Sequence, residues 1–372
     1  MPSTLPRPEA KPRAATSAMG LPVSWYFDPE IWEIERCKLF DRGHGYVGHA
    51  AMVPNEGDYI ALASANDGWL LTRSRGEVHA VSNVCRHRQA RMLDSRGTAK
   101  RIVCPVHNWA YDCRGRQVAA PHFDENPCLN LETRELTEWN GLLYAGPHDP
   151  RRDFAPLTGS FAFDDDDYVL DRIDIEEYSI NWKAIIEVFV EDYHIGAVHP
   201  GFRAFVDTGH VRSGGDSQLG SRFFLEKVRT RWPPGAAGSK QFAEYQRLLL
   251  DIDGGREPEF GAVWLCYFPN QLIEIYPHAF VVSTYESLAP ERTRVCSEYY
   301  FRREVYETRQ DFVEVANAVF AEVSAEDQEV SERLHAGRSA LYRRGVDQPG
   351  PYQQPMEQGL AHFHEFLRNA CA

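Results

Sequence analysis

Cysteine is scarce: eight residues in 372, at Cys37, Cys85, Cys104, Cys113, Cys128, Cys266, Cys296 and Cys371. That is too thin for a disulfide-stapled secreted scaffold, so a reducing cytoplasm is the expected compartment. Long apolar runs are missing as well. No stretch reaches the ~18 residues that a bilayer-spanning helix needs, and the opening MPSTLPRPEAKPRAATSAMG lacks the apolar core of a secretory signal. Residues 1–22 read as a mobile leader on a soluble protein. Positive charge is in deficit, 40 Lys and Arg against 54 Asp and Glu for a net charge of -14. Nucleic acid and anionic membranes would repel such a chain, which leaves small molecules and proteins as partners.

What is present is enough apolar residue, 43% of the chain, to bury a substantial core. At ~100 to 200 residues per domain, two domains are expected. From Cys37 to about Pro147 short alternating runs (GYVGHAAMV, DYIALAS, GWLLTRS, EVHAVSN, RIVCPV, GLLYAG) alternate with turn residues, which predicts a small all-β module. A Pro-rich connector ending in Asp164–Asp167 follows, and that acidic run reads as solvated surface. Next come an apolar helix from Asn181 to about Ile195 and a Gly-rich loop at SGGDSQLG. Strands follow at FFLEKVRTRW, GAVWLCYF, LIEIYPHAFVVSTYESL and RTRVCSEYYF, then an amphipathic helix over about Thr308–Leu334 and a final amphipathic segment, GLAHFHEFLRN. Strands with segregated helices make the second region, and the chain as a whole, α+β. No internal repeat is visible.

Two constellations carry chemistry. The first is Cys85-x-His87 and, 16 residues on, Cys104-x-x-His107. Each pair falls on a turn between strands, so the four side chains can surround one metal centre. Zinc would accept Cys2His2, whereas a [2Fe-2S] cluster of the Rieske type sets two thiolates on one iron and two imidazoles on the other. The flanks separate the two. CRHR, CPVHNWAYD and CRGRQ, with upstream FDPEIWEIERCKLF, YVGHAAMVPNEGDYIAL and GEVHAVSNVCRHR, closely resemble the cluster-binding loops and entry segments of Rieske oxygenases. Asn108 departs from the Gly that is more usual there. Tyr111, by the same resemblance, could give a hydroxyl to a cluster sulfur, or be a plain strand aromatic.

The second constellation lies in NWKAIIEVFVEDYHIGAVHPGF. Glu187, Glu191 and His194 stand at i, i+4 and i+7, one line along an apolar helix, where polar groups need partners or a metal. His199, five residues after His194, would point about 140° away on a regular helix. Both can serve one ion only if the helix ends or bulges between them, and Gly196 and Pro200 suit such a break. In the later helix Phe312, Ala316, Val319 and Val323 step by three or four, and the stripe lands on Asp327. The alternative there is an exposed Asp beside Glu326 and Glu329. Two imidazoles and one carboxylate leave open positions for O2 on a non-haem Fe(II).

The resemblance to Rieske oxygenases, which runs from about Phe27 to the last helix, agrees. It implies His194, His199 and Asp327 as iron ligands. It makes Glu191 the carboxylate that bridges a cluster histidine of one subunit to an iron histidine of the next. Asp is usual there, and a branch that includes carnitine-type oxygenases carries Glu; Glu187 and Asp192 are the alternatives. It further implies a Rieske domain over 23–150 and an α+β, helix-grip (START-like) iron domain over 151–372. A homotrimer is implied too, as is a separate NAD(P)H-dependent flavin and iron-sulfur reductase. The expected activity is that of a terminal oxygenase with one [2Fe-2S] cluster and one Fe(2+) per chain, hydroxylating or demethylating a small organic substrate. The rival is a non-catalytic electron carrier or a zinc-stabilised binding module. GFRAFVDTGHV with Trp264, Tyr267, Phe268 and Tyr276 would wall the substrate site. Aromatic walls suit a ring or a quaternary amine, or are simply core.

Overall fold

The structure, a computed structural model, describes residues 19–157, 167–206, 216–231 and 239–372. The first module is built from three antiparallel sheets. Five strands run in the order Arg96–Thr98, Asp58–Ala61, Trp69–Ser74, Glu77–Ser82, Thr133–Arg134, beside a three-stranded sheet of Tyr46–His49, Leu142–Tyr144 and Thr137–Trp139. A third, small sheet of Ile102–Val103, Ala110–Tyr111 and Gln117–Ala119 carries one of the Cys-His turns. Gly43–Gly48, GHGYVG, spells G-x-G-x-x-G, but it runs into the Tyr46–His49 strand instead of opening a helix, so it cannot cradle a pyrophosphate. Its glycines serve packing: a Cβ on Gly45 would sit 2.4 Å from the Gly146 backbone.

The second module is one seven-stranded antiparallel sheet. Its order is Tyr168–Tyr178, Arg292–Arg302, Ala279–Ala289, Gln271–Tyr276, Ala262–Tyr267, Phe223–Val228, Asp216–Leu219. The segment LIEIYPHAFVVSTYESL, expected as one strand, is a hairpin that turns at His278, whose φ is +64°. Several elements were not anticipated, among them the Tyr168–Tyr178 strand, the helices Lys240–Ile252 and Arg303–Thr308, and the Asp216–Leu219 strand, which falls in the segment expected as a Gly-rich loop. The long helix spans Gln310–Arg343, beyond its expected end at Leu334, and the last helix spans Gln358–Cys371. Residues 1–18 of the expected leader, 158–166 of the connector, and 207–211, 213–215 and 232 of the other sequence-read segments lie outside the described residues. Among the described residues, no helix is long and apolar enough to cross a membrane.

Alternation along the strands gives the sheet two different faces. Val263, Leu265, Tyr267, Ile273, Phe280, Val282 and Tyr300 pack against Val47, Leu71, Leu142 and Tyr144 of the first module. At ~1.5–3 kcal/mol for each fully buried large apolar side chain, this seam ties the modules firmly. The other face curves around the long helix and encloses a cavity.

The segment expected to lead the Rieske unit packs elsewhere. Leu21, Val23, Tyr26, Phe27 and Leu39 share a core with Ile180, Trp182, Ile185 and Phe363, so residues 21–39 belong to the body of the second module. Residues 19–22, expected to be mobile, are tied down: Met19 bridges Pro351, Gly20 N–H donates to Gly350 C=O at 2.9 Å, and Leu21 is buried.

Candidate functional site

The two Cys-His turns repeat one backbone device. Cys85 N–H donates to Ala90 C=O (2.9 Å) and Gln89 N–H to Cys85 C=O (3.0 Å); in the second turn Cys104 N–H donates to Trp109 C=O (2.8 Å) and Asn108 N–H to Cys104 C=O (3.0 Å). Closing so tight a loop forces the fourth residue after each Cys into the left-handed region, with φ +55° at Gln89 and +57° at Asn108. Asn is among the few non-Gly residues that tolerate this, which accounts for its place here. Both thiols are buried, while His107 is exposed and His87 partly so. The imidazoles lie 4.5 Å apart, centroid to centroid, and Trp109 stacks on His87 at 5.0 Å. Val106 and Phe123 stand exposed around them.

Tyr111 is a strand aromatic whose hydroxyl also reaches a candidate ligand thiol. It is fully buried in the module's core, and its hydroxyl lies 3.5 Å from Cys85 Sγ while accepting from Arg86 N–H at 3.1 Å. Burial first, then the Cys85 sulfur, push its hydroxyl above the usual phenol range.

The second site starts from a helix that stops early. Asn181 caps Trp182–Phe189 by accepting Lys183 N–H at 3.0 Å, and its amide ties the cap to Tyr26 and Pro290 carbonyls. The helix ends at Phe189, not near Ile195. Glu191 is therefore off the helix, and the expected single line of Glu187, Glu191 and His194 does not exist. The break falls before His194; Gly196 lies inside a short helix, Ile195–Val198, and Pro200 opens the next, Pro200–Phe205. The cause is competition for backbone donors. Glu191 Oε2 accepts from the N–H groups of Tyr193 and, at 3.2 Å, His194, while Asp192 N–H is drawn to Met356 C=O at 3.1 Å. Helix Pro200–Phe205 then approaches the long helix closely, since a Cβ on Gly201 would meet Glu322 at 2.7 Å and Phe242 at 2.9 Å.

These turns bring His194, His199 and Asp327 together, with donor atoms all within 4.8 Å of one another. The two Nε2 atoms are 3.1 Å apart, and Asp327 Oδ1 is 2.9 Å from His199 Nε2 and 3.4 Å from His194 Nε2. Each imidazole has its Nδ1 against a carboxylate: His194 donates to Glu191 Oε1 at 2.6 Å and His199 to Glu326 Oε2 at 2.7 Å. With those protons fixed, the neutral rings face each other lone pair to lone pair beside a carboxylate oxygen that has no hydrogen-bond partner. Only a cation relieves that arrangement. Without metal the cation is a proton: burial draws His194 toward neutrality, but Asp327 and Glu191 outweigh it and push the ring up to about 10. His199 is raised in the same way against its burial. Asp327, which burial alone would raise, is held below the usual carboxylate range by the two imidazoles.

Sequence reasoning missed Glu326. Its signal was its adjacency to Asp327, which lets consecutive side chains of one helix clasp both nitrogens of His199. Glu187, the alternative to Glu191, is elsewhere: its carboxylate is buried, 2.7 Å from Arg338 and 2.9 Å from His364 Nε2, and takes the Tyr26 hydroxyl. It is a structural hub. Asp192, the other alternative, is pushed up to about 7 by burial and by Glu191.

The cavity beside Asp327 is walled by Phe202, Phe205, Trp264, Tyr276, Tyr285, Tyr299 and Phe320, with Glu274 and Glu176 among them. Tyr267 and Phe268, expected in this wall, are not. Strand parity turns Tyr267 to the inter-module seam, where it stacks on His44 at 4.6 Å, and Phe268 packs on Phe363 and Phe366. Among the described lining residues there is no Lys or Arg.

Comparison with known proteins bears on this geometry. Residues 163–372 match the family model of the ring hydroxylating alpha subunit (catalytic domain), and residues 44–134 that of the Rieske [2Fe-2S] domain. The chain belongs to the ring-hydroxylating oxygenase alpha-subunit family. It is 42% identical, over 95% of both chains, to putrescine 2-hydroxylase of Ralstonia nicotianae. It is 26% identical, over 97% of this chain and 89% of the other, to the glycine betaine monooxygenase oxygenase subunit of Chromohalobacter salexigens. In fold it is similar to the quaternary ammonium Rieske monooxygenase CntA in complex with L-carnitine (TM-score 0.73, 20% identity, 96% of both chains). It is also similar to Rhodococcus naphthalene 1,2-dioxygenase (TM-score 0.66, 18% identity, 95% and 94% covered).

The protein is thus a Rieske-type oxygenase with a [2Fe-2S] cluster and a mononuclear non-haem iron as its cofactors, and the carrier or zinc-module alternative falls away. The side chains fit both groups. Cys85 and Cys104 offer two buried thiols and His87 and His107 two imidazoles 4.5 Å apart, the two-and-two donor set that a Rieske cluster takes, and His87 Nδ1 is buried without a partner. The triad of imidazoles and carboxylate suits the single iron.

Proposed function

We propose that this oxygenase hydroxylates a small aliphatic primary amine at an unactivated carbon, with putrescine the first substrate to try. The observation that carries this reading is the 42% identity, over 95% of both chains, to a putrescine 2-hydroxylase. A cavity with carboxylates and no described basic residue supports it, because a bound ammonium would meet acceptors and no repelling charge.

In this reading Cys85 and Cys104 hold one cluster iron, His87 and His107 the other, and His194, His199 and Asp327 the mononuclear iron. When bound, these groups supply single electrons and the place where O2 is activated. The chain's own part is orientation and exclusion. Glu191 and Glu326 fix the tautomers of His194 and His199 so that Nε2 faces the metal. Trp264, Tyr285 and Phe202 keep bulk water from the reacting carbon.

The division near residue 150 separates electron entry from chemistry. The cluster turns lie in one core with Leu70, Val81 and Trp109, whereas the triad adjoins another around Phe202 and Phe205. A homotrimer, with transfer from the cluster of one protomer to the iron of the next by way of Glu191, joins the two. The exposed His107 with Val106 and Phe123 supports a docking role for that edge. A separate NAD(P)H-dependent reductase supplies the electrons, and the free cysteines suit a cytoplasmic protein.

The test is direct. Protein loaded with about three irons per chain is given a surrogate reductase, NADH, O2 and putrescine, and the product is weighed. The expected result is one added oxygen, lost in His199→Ala while the cluster's visible spectrum stays. Iron-replete protein that leaves putrescine and related primary amines unoxidised would overturn the reading.

A further inference from the structure

We propose that Glu274 is the ammonium-binding residue of the cavity and selects cations that carry N–H bonds over quaternary ones. This deepens the amine reading above and rests on it. Glu274 lies on the Gln271–Tyr276 strand, paired with Trp264 on one side and Val281 on the other, and parity turns it with Tyr276 toward the cavity. Tyr276 donates its hydroxyl to Glu274 Oε2 at 2.7 Å. That single bond leaves the carboxylate most of its acceptor capacity. Burial pushes the Glu274 carboxyl up to about 7 against the Tyr276 hydrogen bond, and the negative charge of Asp327 adds to the rise, so a cation beside it favours the carboxylate.

The second cavity carboxylate has a different place. Glu176 is exposed on its strand and is joined by Tyr178 at 2.6 Å, so it marks the mouth, and Glu274 the interior. A quaternary ammonium has no N–H to donate and needs only aromatic faces, which Trp264, Tyr285 and Tyr299 supply without any acid. A partly buried carboxylate set among such faces offers that ligand charge attraction but no hydrogen bond. For a primary ammonium it provides a charge-assisted hydrogen bond and a fixed end from which the reacting carbon is measured.

The experiment titrates iron-loaded holoenzyme calorimetrically, without O2, with putrescine and with butylammonium carrying zero to three N-methyl groups. In the wild type, affinity should fall stepwise as N–H groups are replaced. Glu274→Gln, nearly the same shape, should weaken putrescine binding on the order of 10- to 100-fold and raise KM in step. The trimethylated probe should change less than about threefold. Wild-type affinity that is flat or rises with methylation overturns the assignment without reliance on any variant. So does a folded Glu274→Gln protein, judged by its cluster spectrum, that binds putrescine as well as the wild type. Absence of hydroxylated amine from the wild type sinks the parent reading instead, which keeps the two failures apart.

Discussion

Replacing Glu326 by Ala removes the acceptor from His199 Nδ1, 2.7 Å away, and leaves every expected iron ligand in place. His199 is 2% exposed and Glu326 25%, so one partner is dry and the other partly wet. A charge-assisted hydrogen bond contributes ~1.5–3 kcal/mol, and the exposure of Glu326 places this one at the lower end. At ~1.4 kcal/mol per factor of ten, Fe(II) should bind about 10- to 30-fold more weakly, within the range known for groups that orient metal-bound histidines. The assay is anaerobic competition for Fe(II) against a chromophoric chelator, with the cluster's visible bands as an internal check on folding. Glu326→Gln keeps a carbonyl acceptor and should recover most of the loss. An Ala variant whose Fe(II) affinity lies within twofold of wild type would refute the idea that this carboxylate sets the tautomer of His199.

Three further outcomes follow from contacts away from the mononuclear iron. Glu187 is held down to about 2, since Arg338 and His364 outweigh the opposing effect of burial. A depressed folded value gives stability that is present above the ordinary value near 4.5 and is lost as pH falls toward 2, ~3 kcal/mol in all. His364, lowered chiefly by burial, starts the loss earlier, below about 6.5. Glu187→Gln should flatten the lower part of this acid profile and lower Tm by several degrees at neutral pH, because it strands the partly buried Arg338; an unchanged melt would refute the hub. Asn108→Val must place a β-branched residue at φ +57°, at a cost of ~1–2 kcal/mol, and should lower cluster content while Asn108→Gly keeps it, as iron and sulfide analysis can read. Tyr111→Phe removes the hydroxyl near Cys85 Sγ and should lower the cluster potential by some tens of millivolts in a redox titration, ~40 mV per kcal/mol for one electron.

The paired Cys-His turns were legible because each pair lies within one tight turn, where chain spacing and spatial spacing coincide. Asp327 was legible because an acid on the apolar stripe of a long helix contradicts the pattern around it. Glu326 was not, since its reach to His199 depends on how Pro200–Phe205 docks on that helix. The strand Tyr168–Tyr178 was missed for a related reason. It is the sheet's end strand, paired on one side only, and Glu176 and Tyr178 face a cavity instead of a packed core, so its alternation reads as polar, DRIDIEEY. Glu274 with Tyr276, Ser283 with Tyr285, and Ser297 with Tyr299 show the same mixing where the sheet lines the site. The early end of the Trp182–Phe189 helix turned on a side-chain carboxylate capturing backbone N–H groups, which apolar periodicity does not register.

The charge distribution of the iron end joins these observations. Glu191, Glu326 and Asp327 surround two imidazoles, Glu274 adds a fourth carboxyl nearby, and no described Lys or Arg lines the cavity. Such a pocket is built for cations, and it distinguishes two kinds by what each carboxylate already holds. Glu191 and Glu326 are occupied by imidazole N–H groups, so their charge acts through the histidines, while Asp327 faces the two Nε2 lone pairs directly. In the proposed reading that corner takes the metal, and protons in its absence, so metal uptake must expel protons and weaken as pH falls. Glu274, with only a phenol for company, is left for a cation that brings its own N–H.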